Sequence, residues 1–207
     1  MNPSLRTQRL RLTWLLAIPF LALAQPTPAY LIAGVLLSVP GLLLRGSAAG
    51  HIDKDRILAV SGPFAHLRHP LYVGSFILGI GLVVGGGLWF LLPLFVGIFS
   101  WIYARAIKAE EEGLLARFGL NFAEYRSAVP AFIPRLRPAI PHRWRASTEP
   151  KARGGHPGTN GIGSATTGAS TEGGFQLHRF LQNREWEAWL GMLLGFGLLA
   201  VKMIWAP

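Results

Sequence analysis

Two long runs without a single charged residue, Leu12 to Leu44 and Leu71 to Ala104, decide most of what this chain can fold into. A single helical crossing of a bilayer needs about 20 apolar residues. The second run has 34 residues, so each run is too long for one crossing and reads as a helical hairpin. Turn residues mark the midpoints: Gln25-Pro26-Thr27-Pro28 in the first, and Gly85-Gly86-Gly87 followed by Trp89 in the second. A fifth apolar segment runs from Ala188 to Val201, with Trp186, Trp189 and Trp205 placed as interfacial anchors. The expected fold is all-α: an integral membrane helical bundle of about five transmembrane helices, in two hairpins plus a C-terminal helix.

Composition agrees. Of the 207 residues 51% are hydrophobic and 14% charged, with a mean hydropathy of +0.36; ordinary soluble domains carry roughly 25% charged residues. There is no cysteine, which excludes disulfides, thiolate metal sites and a thiol nucleophile. The net charge of +10 is explained by topology. Three basic residues precede the first helix (Arg6, Arg9, Arg11), four lie between the hairpins (Arg45, Lys54, Arg56, Arg68), and twelve fall from Arg105 to Arg184. The expected outer turns hold none, and only Lys202 falls toward the other side. The positive-inside rule therefore puts the N-terminus and both long loops in the cytoplasm, as expected of a bacterial inner-membrane protein. No nucleic-acid-binding module accompanies the charge.

The Arg-rich start, apolar Leu12 to Leu23 and Ala22-Leu23-Ala24 also fit a cleavable signal peptide. Gln25 would lie outside in either case. The apolar cores suggest short crossings of about 13–17 residues, with Pro19 and Pro40 interrupting the first pair, so local bilayer thinning is expected. The organisation that follows is a transmembrane hairpin over 1–45, a core with the second hairpin over 46–145, a linker over 146–174, and an interfacial helix with the last crossing over 175–207. The linker is assigned by composition, eight Gly and eight Ser or Thr in 29 residues. Phe175 to Glu187 mixes apolar and basic residues as an amphipathic interfacial helix does.

Two constellations carry chemistry. In RHPLYVG, Arg68 to Gly74, Pro70 suits a first helical turn because its missing N–H would be unsatisfied there anyway. Free N–H groups at that helix start, with the donor fork of Arg68, favour a carboxylate or phosphate guest, and Tyr72 lies within reach of the same space. The second is Glu110-Glu111-Glu112. Acidic side chains beside an anionic leaflet gain nothing from lipid, so a cationic partner is the economical explanation. The second hairpin brings both constellations to one membrane face, an anion site opposite a cation site. The alternative for each is plainer: Arg68 and His69 as positive-inside anchors, Tyr72 as a belt residue, and the Glu run as a solvated turn or a partner for Arg105 and Lys108.

The segments GPFAHLRHPLYVG and EEEGLLARFGLNFAEYRSAVPAFIPRL resemble the isoprenylcysteine carboxyl methyltransferase family and its bacterial and phospholipid-methylating relatives. The match rests on Arg68, His69, Pro70, Tyr72 and Gly74, then Glu110, Glu111, Leu114, Phe118, Gly119, Tyr125, Val129 and Pro130. The resemblance implies an integral membrane methyltransferase with an S-adenosylmethionine cofactor, acting on a lipophilic small-molecule or lipid acceptor and requiring neither metal nor nucleic acid. The implied cofactor-binding residues are Arg68, His69, Pro70, Tyr72, Gly74, Glu110, Glu111, Phe118 and Tyr125. Phe118 and Tyr125 are expected to pack the adenine, and His69 is a binding residue first and a proton acceptor second. Phe122 stands where relatives often carry Tyr. Arg126, Arg135 and Arg137 are read as headgroup anchors or acceptor contacts. A nicotinamide-dependent membrane reductase and a noncatalytic assembly protein remain alternatives; no Gly-rich dinucleotide fingerprint is present.

Overall fold

The structure, a computed structural model, describes residues 17–52, 58–139 and 175–205. The proposed linker and residues 1–16 of the first segment lie outside the described residues. Those described are mostly helical, with no strand among them. Residues 17–23 (α1, as far as described) lead through a break at 24–27 into α2, Pro28–His51. A 3₁₀ turn at Gly62–Ala65 precedes α3, Pro70–Gly85; a second at Trp89–Leu91 leads into α4, Leu92–Phe118. Then follow α5, Leu120–Ala128, α6, Leu177–Gln182, and α7, Trp186–Trp205. Three stretches, Pro28–His51, Trp89–Phe118 and Trp186–Trp205, are long and apolar enough to cross a membrane, and α3 is a shorter apolar helix of 16 residues. The chain is thus an all-α membrane protein.

Both expected turns lie where Pro and Gly put them, and Gln25 N–H donates to the Gly86 carbonyl at 2.8 Å, joining one turn to the other. Helix lengths differ from expectation. α2, α4 and α7 have 24, 27 and 20 residues, longer than their apolar cores, because a helix satisfies its own backbone whether its side chains meet lipid or water. α4 accordingly continues beyond the uncharged run through all three glutamates. Pro40 does not interrupt α2, which runs through it at the cost of the one backbone bond that proline cannot donate.

The described parts of Met1–Leu43, Val73–Ile102 and Trp186–Pro207 form one compact unit. Its core is Ala24, Leu88, Phe196 and Leu199, with Phe20, Leu82 and Met192 packed against them. α2 and α3 approach closely through small residues: a Cβ added to Gly34 would lie 2.5 Å from the Gly81 carbonyl and 2.6 Å from the Gly85 Cα. Without a hydrophobic drive between helices in lipid, such backbone approach supplies the dispersion contact that holds them. Lys202 Nζ donates to the Leu21 and Ala22 carbonyls, the latter at 2.8 Å, so the one basic residue that topology left over serves as a cap for the end of α1.

The described parts of Leu44–Tyr72 and Tyr103–Glu185 form the other unit. Its apolar cluster is Leu58, Val60, Phe122, Tyr125 and Val129, with Leu114 and Phe118 packed against it. Gly119 has φ +55°, a backbone conformation that side chains with a Cβ resist. It lets the chain leave α4 and begin α5 at once, so the glycine after Phe118 has a conformational cause.

Candidate functional site

The site is built on the chain just before α3, the first turn of α3, and the part of α4 that carries the glutamates. Pro70 is the first residue of α3 and is fully buried. The preceding residue, His69, is 4% exposed. Arg68 is fixed through its backbone, N–H donating to the Pro130 carbonyl at 2.8 Å; downstream, Arg135 N–H donates to the His66 carbonyl at 2.9 Å and Ala139 N–H to the Ala65 carbonyl at 3.1 Å. The Val-Pro segment therefore straps the strip that carries Arg68 and His69. Pro130 enters through its carbonyl, a role its residue type does not announce.

Glu111 is the centre. One carboxylate oxygen, Oε1, pairs with Arg68 Nη1 and lies 3.1 Å from His69 Nε2; the other, Oε2, lies 3.4 Å from Arg126 Nε. Glu111 and Arg68 are largely withdrawn from water, whereas Arg126 is more than half exposed. The two inner contacts are consequently the strong ones; an exposed partner such as Arg126 contributes little. The three neighbouring glutamates separate by environment: Glu111 is buried, Glu110 has a 45% exposed side chain with its carboxylate 3.9 Å from His69 Nδ1, and Glu112 is exposed. The resemblance matches Glu110 and Glu111 and leaves Glu112 out; what separates Glu111 from Glu110 is which side of α4 each occupies.

The imidazole of His69 stacks on Tyr72 with ring centroids 5.7 Å apart, and Tyr103 meets Tyr72 edge-on at 5.0 Å. Tyr72 also hydrogen-bonds Glu110. Tyr103 was not singled out from the sequence. Its only signal there is its place at the end of the uncharged run.

Other expected residues fall elsewhere. Tyr125 is 2% exposed and donates its hydroxyl to the Phe64 carbonyl at 2.8 Å. Burial raises its pKa well above the ordinary tyrosine value, with the Arg68 charge partly opposing. Phe118 packs on the same cluster, and Phe122, 1% exposed, is where a phenol would need a buried partner. Tyr125 and Phe118 thus serve the core of this unit. Gly74 belongs to the other unit, where a Cβ on Gly41 would come within 2.7 Å of its carbonyl.

Whether these residues suit a zwitterionic amino-acid moiety such as that of S-adenosylmethionine can be tested on the donors themselves. Arg68 Nε is a buried donor with no hydrogen-bond partner, and a buried guanidinium N–H is costly to leave unpaired. It suits a carboxylate, and the half-exposed carboxylate of Glu110 suits an ammonium. The residues therefore fit. Among the described residues no group of three His, Asp or Glu side chains is placed to hold a metal.

The chain is 33% identical over 115 residues to the protein-S-isoprenylcysteine O-methyltransferase of Schizosaccharomyces pombe (52% of this chain, 48% of that protein) and 35% identical over 115 residues to that of Xenopus laevis (50% and 38%). It is also 38% identical over 86 residues to the cobalt-zinc-cadmium resistance protein CzcN of Cupriavidus metallidurans (40% of this chain, 38% of that protein). The matches span less than half the length of these relatives. No family model and no solved structure matches the chain. Over about half of its own length, then, the chain is similar to the isoprenylcysteine O-methyltransferases, the resemblance already carried by its RHPLYVG and EEE segments.

Proposed function

We propose that this protein is an S-adenosylmethionine-dependent methyltransferase of the membrane that modifies a lipophilic acceptor, a carboxylate or an amine, at the cytoplasmic face of a bacterial inner membrane. The observation that carries the reading is the meeting of Arg68 and His69 on Glu111, residues 43 and 42 positions apart, in a chain whose relatives include named methyltransferases. S-adenosylmethionine supplies an electrophilic methyl group on a sulfonium. Arg68 offers its unpartnered Nε to a carboxylate, and Glu110 offers its carboxylate to an ammonium. Glu111 keeps Arg68 and His69 in register by holding both. Pro70 and Tyr72 fix the helix start and shelter the imidazole. Direct displacement at carbon needs alignment above all, and orientation alone can contribute about 7–11 kcal/mol. A carboxylate acceptor needs no base; an amine acceptor would give its proton to His69 or to water. The concentration of basic residues in the N-terminal segment and the two long loops supports the cytoplasmic placement.

The test is equilibrium binding of S-adenosylhomocysteine to detergent-purified protein, with NADPH as the matched control. Saturable binding of the former, weakened more than about tenfold by Arg68→Ala, is expected, since a charge-assisted contact of roughly 1.5–3 kcal/mol is lost. Binding of NADPH alone would replace this reading with a nicotinamide-dependent reductase.

A further inference from the structure

A second ion pair lies away from Glu111 and reaches the same first turn of α3. Arg45, near the C-terminal end of α2, donates Nε to Glu185 Oε2 at 3.1 Å and Nη2 to Oε1 at 2.9 Å, a fork-to-fork pair. Its third nitrogen, Nη1, donates to the Leu71 carbonyl at 3.2 Å. Leu71 stands between Pro70 and Tyr72. Both side chains are withdrawn from water, 19% exposed for Arg45 and 8% for Glu185. A pair so placed has to recover a large desolvation cost, and geometry is what it returns.

The segment that supplies Glu185 is fastened independently. Asn183 Nδ2 donates to the Ala49 carbonyl at 2.8 Å and the Ile52 carbonyl at 3.1 Å, and Gln176 N–H to the Gly50 carbonyl at 3.0 Å. Those to Ala49 and Gly50 take up carbonyls at the end of α2 that the helix leaves without partners, and the one to Ile52 holds the residue that follows it. Arg184, between Asn183 and Glu185, is the one described non-glycine residue with positive φ, +57°. A side chain with a Cβ resists that conformation, which persists only where neighbours on both sides impose it. Here Asn183 is anchored on α2 and Glu185 on Arg45.

We propose that Arg45 and Glu185 are positioning residues for the site: Glu185 orients the guanidinium so that Nη1 holds the Leu71 carbonyl, and this fixes the turn that presents His69 and Tyr72. The assignment rests on the methyltransferase reading for its functional consequence, but its structural half stands without it. The residues immediately preceding α7 thereby become part of the working site, though Glu185 lies 113 positions beyond Tyr72.

The full chain in detergent would be compared as wild type, Glu185→Gln and the exchanged pair Arg45→Glu/Glu185→Arg, reading amide hydrogen exchange of residues 71–76, S-adenosylhomocysteine binding and thermal midpoint. Glu185→Gln should speed exchange in that turn and weaken binding, each by roughly tenfold, because local opening and coupled affinity respond on that scale. The exchanged pair regains the ion pair but places at position 45 a carboxylate that cannot donate to the Leu71 carbonyl. Positioning therefore predicts that the midpoint recovers while exchange and affinity do not. Recovery of all three, or unchanged exchange in Glu185→Gln, would overturn the proposal. If the wild type binds no S-adenosylhomocysteine, the methyltransferase reading falls and hydrogen exchange with the thermal midpoint still decides the role of the pair.

Discussion

In one compact unit α2 and α3 meet backbone to backbone at Gly34 and Gly81, with only the small side chain of Ser38 beside the contact. In the other, Arg68, His69 and Glu111 meet through charge and hydrogen bonds, and a second set joins Arg45, Glu185 and Leu71. Small residues give shape without chemistry, and they tolerate nothing added. Ion pairs give chemistry at the cost of desolvation, and they tolerate nothing removed. The contrast predicts opposite sensitivities: the first unit should fail on enlargement and the second on deletion.

The largest effect is expected for Glu111→Ala, which strands Arg68 and His69 and should destabilise the fold by about 3–5 kcal/mol. Denaturant titration in detergent measures it, and a loss below about 1 kcal/mol would mean that the cluster behaves as an exposed pair. Next is Gly34→Ala. The new methyl meets backbone atoms on α3 that no rotamer change can move, for a loss of about 1–3 kcal/mol; a neutral result would dissolve the contrast. Tyr125→Phe leaves the Phe64 carbonyl without its partner and should cost about 0.5–1.5 kcal/mol.

The same tyrosine sharpens the comparison through pH. Burial raises its folded pKa above the unfolded value of about 10. Its stabilisation is therefore fully present below about pH 10 and is lost as pH rises toward the folded value. Wild type should lose more stability than Tyr125→Phe on passing from pH 9 to pH 11, a range chosen to bracket the unfolded tyrosine value of about 10. Parallel losses would show that the phenol is not shielded. Gly97→Ala, inside α4, adds a methyl that meets nothing within 4 Å and should not destabilise at all, the helix-propensity gain being at most about 1 kcal/mol.

What could be read from the sequence follows the range of the signals. The breaks at Pro26-Thr27-Pro28 and Gly86-Gly87, the helix start at Pro70 and the glutamates beyond the uncharged run are local, and each is written in the residues that form it. The resemblance singled out Arg68, Glu110 and Glu111, but as opposite ends of one bound ligand; the direct ion pair of Arg68 with Glu111 is a finding of the structure and depends on the azimuth of α4. Arg45 with Glu185 was out of reach: 140 positions separate them, and neither sits in a pattern that names a partner. Tyr125 shows the converse. Its place in a functional motif suggested ligand contact, whereas its burial and its bond to Phe64 give it a role in the core. α3, with 16 residues, has the expected length, whereas α2, α4 and α7 outrun their apolar cores because hydropathy ends where lipid ends, while helical hydrogen bonding does not.

The bond from Lys202 to the Leu21 and Ala22 carbonyls spans 181 and 180 positions. A ribosome delivers the chain from its N-terminus, at about 5–20 residues per second. While the intervening residues are made, the end of α1 must therefore exist without the ammonium group that finishes it. The end of α1 thus waits for a side chain from the last turn of α7, so this part of the membrane protein's assembly stays open until that turn has been translated.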